Sequence, residues 1–168
     1  MAAKVFIVGI GDDGVEGMTS HAVRLVEEAE RLIGPESCRD LVPTRLRNRL
    51  ETVGSLDDLV ERIEELQQQR LVVLASGDPL FYGTARFVCS RLGKDRFEVV
   101  PHVSSMQLAF ARVKESWEDA YLASLSGLST IERVIEKIRT VDTAGLFTSE
   151  QWPPNVVAAS LLEQGLQG

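Results

Sequence analysis

Ser76-Gly77-Asp78-Pro79-Leu80-Phe81-Tyr82-Gly83 sets a hydroxyl, a carboxylate and two aromatic rings between two glycines. Small residues let a ligand approach the backbone closely. The aspartate accepts hydrogen bonds, and aromatic faces favour cations. The chemistry is therefore that of ligand capture, and no nucleophile–base pair accompanies it. An apolar run, Leu71-Val72-Val73-Leu74, precedes the turn, and an amphipathic stretch over residues 84–92 follows it. The turn thus leads from a buried strand into a helix, and open α/β sheets bind ligands at such strand ends. Pro101-His102-Val103-Ser104-Ser105 reads as a second strand-to-helix turn.

A third segment, Gly9-Ile10-Gly11-Asp12-Asp13-Gly14, matches GxGxxG and follows a strand-like run. A dinucleotide site is the direct reading of that pattern. Two physical points oppose it. Asp12 and Asp13 place carboxylates where a pyrophosphate would sit, and like charges repel. The helix also starts late: the loop runs on through Gly17, and capping residues come only at Thr19-Ser20, so no helix N-terminus faces the anion. Two readings remain, a loop whose dihedrals require glycine, or the lining of a site for something other than a diphosphate.

These turns need strands and helices to hold them. Alternation and apolar runs predict strands over 4–10, 71–74, 97–100, 120–125 and 144–148. Helical periodicity predicts a helix from Thr19 or Ser20 to about Leu32, with Ala22, Leu25, Val26 and Ala29 on one face. Further helices are predicted over 55–69, opened by Ser55 with Asp58, and over 84–92, stopped by Gly93. Others follow over 106–113, over 130–138, and from Pro153-Pro154 to Leu162. Strands alternating with helices indicate an α/β fold. The polar stretch 114–119 is the candidate boundary, dividing the chain into domains 1–115 and 116–168. The second would hold two strands and two helices, and so small a sheet is marginal alone. The expectation is a truncated domain, completed by further chain or by a partner.

At 168 residues, 44% apolar and 26% charged, the composition is that of a globular protein of one or two domains. A formal charge of −7 opposes nucleic-acid binding, which needs a basic footprint. No apolar run is long enough to span a bilayer. The amino terminus, Met1-Ala2-Ala3-Lys4, lacks signal-peptide regions, and Cys38 and Cys89 form no CxxC pair. Cytoplasmic residence with free thiols follows. With His21 and His102 as the sole histidines, no metal site is expected. Arg39, Arg45, Arg47 and Arg49 crowd a segment containing a single acid, Asp40, while elsewhere acids cluster on helices as solvated faces.

The three segments, in this order and at these spacings, resemble the tetrapyrrole (corrin and porphyrin) methylase family, over nearly the whole chain. Gly83 close behind Leu80-Phe81-Tyr82, and Ser104-Ser105-Met106-Gln107-Leu108-Ala109, are most similar to the precorrin-6Y C(5,15)-methyltransferase branch. Within it the match is to the amino-terminal, cobalt-precorrin-7 C(5)-methylating module. The resemblance implies two α/β domains with S-adenosylmethionine between them, S-adenosylhomocysteine as product, and a corrin-ring precursor as substrate. It implies a homodimer, and a separate module that methylates C(15) and decarboxylates. Ser76, Gly77, Asp78 and Phe81 would then hold the methyl donor, with Ser104 and Ser105 from the next turn and Phe147 and Thr148 near the adenosine. Gly9, Gly11 and Asp12 of the glycine loop, with Tyr82, would border the tetrapyrrole.

The chain departs from the family pattern at three places. Asp12-Asp13-Gly14 replaces the later part of a Gly-Pro-Gly-Asp loop, Pro101-His102 stands for Pro-Gly, and Ser126 replaces the histidine of Ser-Leu-His-Gly. Methyl transfer from sulfonium to an electron-rich ring carbon needs alignment more than acid–base help, so no catalytic base is expected. Asp78 either meets an ammonium group or caps the turn and following helix. Phe81 and Tyr82 either face the sulfonium or pack in the core. His102 reads as a turn-filling residue. Arg45 and Arg47, with Arg49, either grip substrate carboxylates bidentately or form a solvated basic loop. The competing functions are a non-catalytic fragment that binds the methyl donor or tetrapyrrole, and a nicotinamide or flavin nucleotide module.

Overall fold

The computed structural model describes residues 4–166; Met1 to Ala3 and Gln167-Gly168, on which the readings of the two termini partly rest, lie outside them. The first part of the chain runs through β1 (Val5–Ile10), α1 (Ser20–Glu28), β2 (Arg31–Gly34), β3 (Leu50–Thr52) and α2 (Leu56–Glu65). It continues with β4 (Leu71–Ser76), α3 (Thr84–Leu92) and β5 (Phe97–Val100). Then follow α4 (Ser105–Val113), β6 (Tyr121–Ser124), α5 (Glu132–Ile138), β7 (Ala144–Phe147) and α6 (Pro154–Glu163).

The first five strands form a parallel sheet in the order β3-β2-β4-β1-β5. β1 lies between β4 and β5, with Gly9 beside Ala75, Ile10 beside Ser76 and Val8 beside Val100. Alternating side chains serve two cores. Val8, Ile10, Leu32, Val72 and Leu74 pack with Ala22, Val26 and Ala29 on one face. Ile7, Ile33, Val73 and Ala75 pack with Leu59 and Ile63 of α2 and Ala85 and Val88 of α3 on the other. Coverage of both faces is what a parallel sheet requires.

The first helix is shorter than its periodicity predicts. α1 ends at Glu28, Ala29 is extended (φ −62°, ψ 136°), and Arg31–Gly34 is a strand. The physical reason is tertiary: Leu32 and Ile33 are fully buried between β3 and β4, where the ladder competes with the helix for the same residues. Arg49 closes the helix end by donating from Nη1 to the carbonyls of Glu27 (2.9 Å) and Ala29 (3.0 Å). The expected caps are present. Thr19 Oγ1 accepts from the Ala22 amide and Ser55 Oγ from the Asp58 amide, while Gly93 ends α3 at φ 86°.

The chain divides into two compact units, Met1–Ser105 and Met106–Gly168. The division falls ten residues before the expected one at 115/116, so nearly all of α4 goes with the second unit. Packing explains this: Gly145 of β7 lies directly against Met106 Sδ and the Phe110 ring of α4, with no room for a Cβ. The second unit carries a two-stranded parallel sheet, β6-β7. Its core gathers Leu125, Val134, Ile135 and Val157, and Trp152 donates from Nε1 to the Leu128 carbonyl at 3.0 Å. Among the described residues, no helix is long and apolar enough to cross a membrane, and Cys38 and Cys89 are free thiols. Burial pushes the Cys38 thiol up to about 11.

β3 is pinned to α2 by an ion pair. Arg62 donates to both oxygens of Glu51, from Nε at 2.5 Å and from Nη2 at 2.6 Å. Those hydrogen bonds hold the Glu51 carboxyl below its ordinary range. A carboxyl depressed in the folded state stabilises above its unfolded pKa, and the contribution is lost as pH falls through the folded value. Both side chains are about a third exposed, so solvent screening limits the pair to at most about 1 kcal/mol. The urea midpoint of Glu51→Gln should therefore lie below that of the wild type at neutral pH, the gap closing in acid. An equal gap at both extremes would show that charge is not its source.

Candidate functional site

Parallel strands of equal direction end on one side of a sheet, so the turns after β1, β4 and β5 meet there. Gly9 marks how closely. A Cβ at Gly9 would lie 2.1 Å from the Gly77 carbonyl oxygen and 2.6 Å from the His102 amide nitrogen. Glycine is thus required by close approach of three backbones. The turn after β4 is tied to β1 by a hydrogen bond from the Gly77 amide to the Ile10 carbonyl (2.9 Å). Gly77 itself has φ 62°, and its missing Cβ would meet Ser104 Cα at 3.2 Å. Gly77 and Ser104 are adjacent because both are small.

Asp78 holds the turn's shape. Its Oδ1 accepts from the Leu80 amide at 2.9 Å, and its carbonyl accepts from Phe81 at 3.1 Å. This resolves one part of the sequence reading: Asp78 caps the turn, not α3, whose N-cap is Gly83 with no side-chain hydrogen bond. Phe81 is half-buried and Tyr82 is 54% exposed, so neither ring belongs to the core. The rings meet edge to face at 5.0 Å, and Tyr82 adopts a left-handed φ of 54°. Such a backbone is uncommon outside glycine, and it projects a large residue from the strand-end turn. Ser76 is exposed at the strand terminus, Ser104 is buried, and Ser105 is exposed at the start of α4.

The glycine loop contains no helix start. Val15–Gly17 form a 3-10 turn, and α1 begins only at Ser20 behind its Thr19 cap. The anion-binding geometry of a dinucleotide fold is therefore missing here, as the late capping residues predicted. Gly11 and Gly14 pair across the loop, with the Gly14 amide donating to the Gly11 carbonyl at 2.9 Å. The His102 ring packs against this loop, where a Cβ at Gly11 would lie 2.6 Å from its Cε1.

Asp12 and the two arginines nominated with it share one depression. A cleft of about 410 Å³ is lined by residues 12–16 of the glycine loop and by 40–45 and Arg47 of the segment after β2. Within it, Arg45 reaches Glu27 at 2.6 Å, and Arg47 reaches Asp40 at 3.5 Å while donating from Nε to the Val42 carbonyl at 3.1 Å. Arg49 does not join them; it serves the end of α1. Phe147 and Thr148 lie in the second unit, at and just beyond the end of β7, with Phe147 half-buried and Thr148 exposed. The Phe147 carbonyl accepts from Leu125 at 2.8 Å. Sequence reasoning missed Asp13 and Gly17, which meet His102 through tertiary contact; the extra glycine at 17 was the available signal.

Comparison with known proteins places this geometry. The chain is 30% identical to a protein of Methanocaldococcus jannaschii named "Probable cobalt-precorrin-7 C(5)-methyltransferase", over 73% of this chain and 60% of the relative. It is 26% identical to the cobalt-precorrin-7 C(5)-methyltransferase of Salmonella typhimurium, over 95% of this chain and 78% of that one. Against a precorrin-6Y C(5,15)-methyltransferase from a Sinorhizobium species it is 33% identical, but spans only 30% of that protein. The crystal structure of a precorrin-6Y methylase from Archaeoglobus fulgidus superposes with a TM-score of 0.64 at 25% identity, covering 74% of this chain and 64% of that one. A cobalt-precorrin-4 methyltransferase shares the fold at TM-score 0.74 and 20% identity, over 96% of this chain and 75% of that one. The family model for tetrapyrrole (corrin/porphyrin) methylases matches residues 4–164, taking in the glycine loop, both later strand-end turns and the second unit. On that match the chain belongs to the tetrapyrrole methylase family.

Proposed function

We propose that this chain is the methyl-donor and substrate-binding part of a methyltransferase. It acts at C-5 of a corrin-ring precursor, precorrin-6Y or cobalt-precorrin-7, in cobalamin biosynthesis. The observation that carries the proposal is the joint made by Gly9, Gly77 and Ser104, where three strand-end turns meet with no space for a Cβ at Gly9. That joint lies within the span matched by the family model. Bound S-adenosylmethionine supplies a sulfonium methyl group, an ammonium group and a carboxylate. The residues here suit all three. Small residues at 76, 77 and 104 leave backbone groups approachable, with Ser105 beside them. Asp78 offers its carboxylate to an ammonium group, and the Phe81–Tyr82 pair offers aromatic faces to a cation. From the second unit, Phe147 and Thr148 are proposed for the adenosine.

Corrin precursors carry many carboxylates, and an acidic protein needs a local positive grip on them. Arg45 and Arg47, which line the same cleft as Asp12, are proposed as that grip, with Gly9, Gly11 and Tyr82 along the ring. Homodimer formation, a cytoplasmic location and a separate C(15)-methylating, decarboxylating module enter the proposal from the family resemblance.

Calorimetry with S-adenosylhomocysteine and with NAD tests the first part. Binding of NAD without a response to S-adenosylhomocysteine would defeat it in favour of a nucleotide module. The second part predicts that the double variant Arg45→Glu/Arg47→Glu loses at least about tenfold affinity for cobyrinic acid, a corrin polycarboxylate, because charge-assisted contacts become repulsive. Its affinity for S-adenosylhomocysteine should stay unchanged, and equal loss of both ligands would sink the assignment. Binding of both ligands without methyl transfer would favour the non-catalytic reading.

A further inference from the structure

The His102 side chain links two loops that are far apart in sequence. It leaves the sheet after β5 and is only 10% exposed. Its Nε2 lies 3.1 Å from the Gly17 carbonyl oxygen and 3.6 Å from Asp13 Oδ1. Its Nδ1 lies 3.3 Å from the carbonyl of its own neighbour, Val103. Carbonyl and carboxylate oxygens only accept, so the side with two of them calls for the proton on Nε2. The glycine loop is shaped around this ring. A Cβ at Gly11 would lie 2.6 Å from His102 Cε1, and one at Gly17 would lie 1.9 Å from Asp13 Oδ2. Gly11 leaves room for the imidazole, and Gly17 leaves room for the carboxylate beside it.

The loop held in this way carries Asp12, Asp13 and Glu16, which line the same cleft as Arg45 and Arg47. We propose that His102 is a positioning residue for the substrate. By donating from Nε2 to the Gly17 carbonyl it fixes the 11–17 loop, and so sets the shape of the cleft that receives a carboxylate-bearing ligand. This rests on the reading of the cleft as the tetrapyrrole-carboxylate site. A loop of three glycines and no regular helix has little shape of its own, since glycine admits many backbone states. The Gly14 amide donates to the Gly11 carbonyl and the Met18 amide to the Val15 carbonyl, and the imidazole adds the contact to the sheet end.

Wild type, His102→Ala and His102→Gln are compared for cobyrinic acid affinity, S-adenosylhomocysteine affinity and thermal unfolding. The alanine variant should bind cobyrinic acid about tenfold more weakly, the effect of one buried hydrogen bond. Its affinity for S-adenosylhomocysteine should hold within about twofold. The glutamine variant, whose amide donates at the same reach, should recover most of the loss. Unchanged cobyrinic acid affinity in the alanine variant would overturn the proposal, as would parallel loss of both ligands. If the alanine variant does not fold, the glutamine variant and the tautomer decide. A long-range proton–nitrogen spectrum should show His102 protonated at Nε2, and an unprotonated Nε2 would overturn the latch. Failure of the wild type to bind cobyrinic acid would count against the proposed function, while the tautomer would still decide the latch.

Discussion

Gly9→Ala should unfold at markedly lower urea than the wild type and lose detectable S-adenosylhomocysteine binding. The added methyl has nowhere to go: its nearest neighbours are the Gly77 carbonyl and the His102 backbone, and neither is the movable end of a side chain. Relief requires β1 to part from one of the two turns beside it. Overpacking of this kind costs about 2–3 kcal/mol, the upper part of the usual range. Because the same atoms form the wall of the proposed methyl-donor site, stability and binding should fall together. Gly93→Ala supplies the contrast. Gly93 also needs a glycine backbone, at φ 86°, but nothing lies within 4 Å of its missing Cβ. Its substitution should cost about 1 kcal/mol through the left-handed conformation alone and leave binding intact. A Gly9→Ala protein with a native midpoint would show that the three turns are not in contact.

Ile33→Ala should be the most damaging of the simple core truncations outside the site, at about 3–4 kcal/mol. Ile33 is fully buried, packed with Leu59 and Ile63 on the α2 side of the sheet, in a strand flanked on both sides. The surrounding strands limit how far the cavity can close. Leu56→Ala, at a position 42% exposed, should cost less than about 1 kcal/mol. Chemical denaturation of the three proteins at constant slope measures both values. A cost at Ile33 no larger than at Leu56 would contradict its placement in a central strand.

Ile33 also shows where sequence reading reaches its limit. Ala22, Leu25, Val26, Ala29 and Leu32 continue one helical period without interruption, so the change from helix to strand leaves no mark in the pattern. What ends α1 is remote: Arg49 on its last carbonyls, and the ladder of β2 with β3 and β4. β3 is three residues long, with charge and polarity inside it, and gives no periodicity to detect. β1, β4 and β5 were legible because each is a short apolar run ending in glycine, proline or both. The caps at Thr19 and Ser55 were legible because capping is a local interaction between residues three apart. At the site, the Gly77-Asp78 turn could be read from its own composition. That Asp13, Gly17 and His102 form one cluster could not, because the contact depends on which strands are neighbours. The same holds for the cleft that joins Arg45 and Arg47 to Asp12.

The position of β1 in the sheet has a consequence for how the chain folds. β1 has no partner near it in sequence: Phe6 pairs with Val72 on one side and Glu98 on the other. Pairings of such long sequence separation are slow to form, because loop-closure entropy is lost before any contact compensates. During synthesis the apolar segment Val5-Phe6-Ile7-Val8 therefore waits unpaired until β4, and then β5, has left the ribosome. The strand that anchors all three turns of the candidate site is thus made well before either of its partners and is among the last to be secured. The site can assemble only when nearly all of the first unit has been translated.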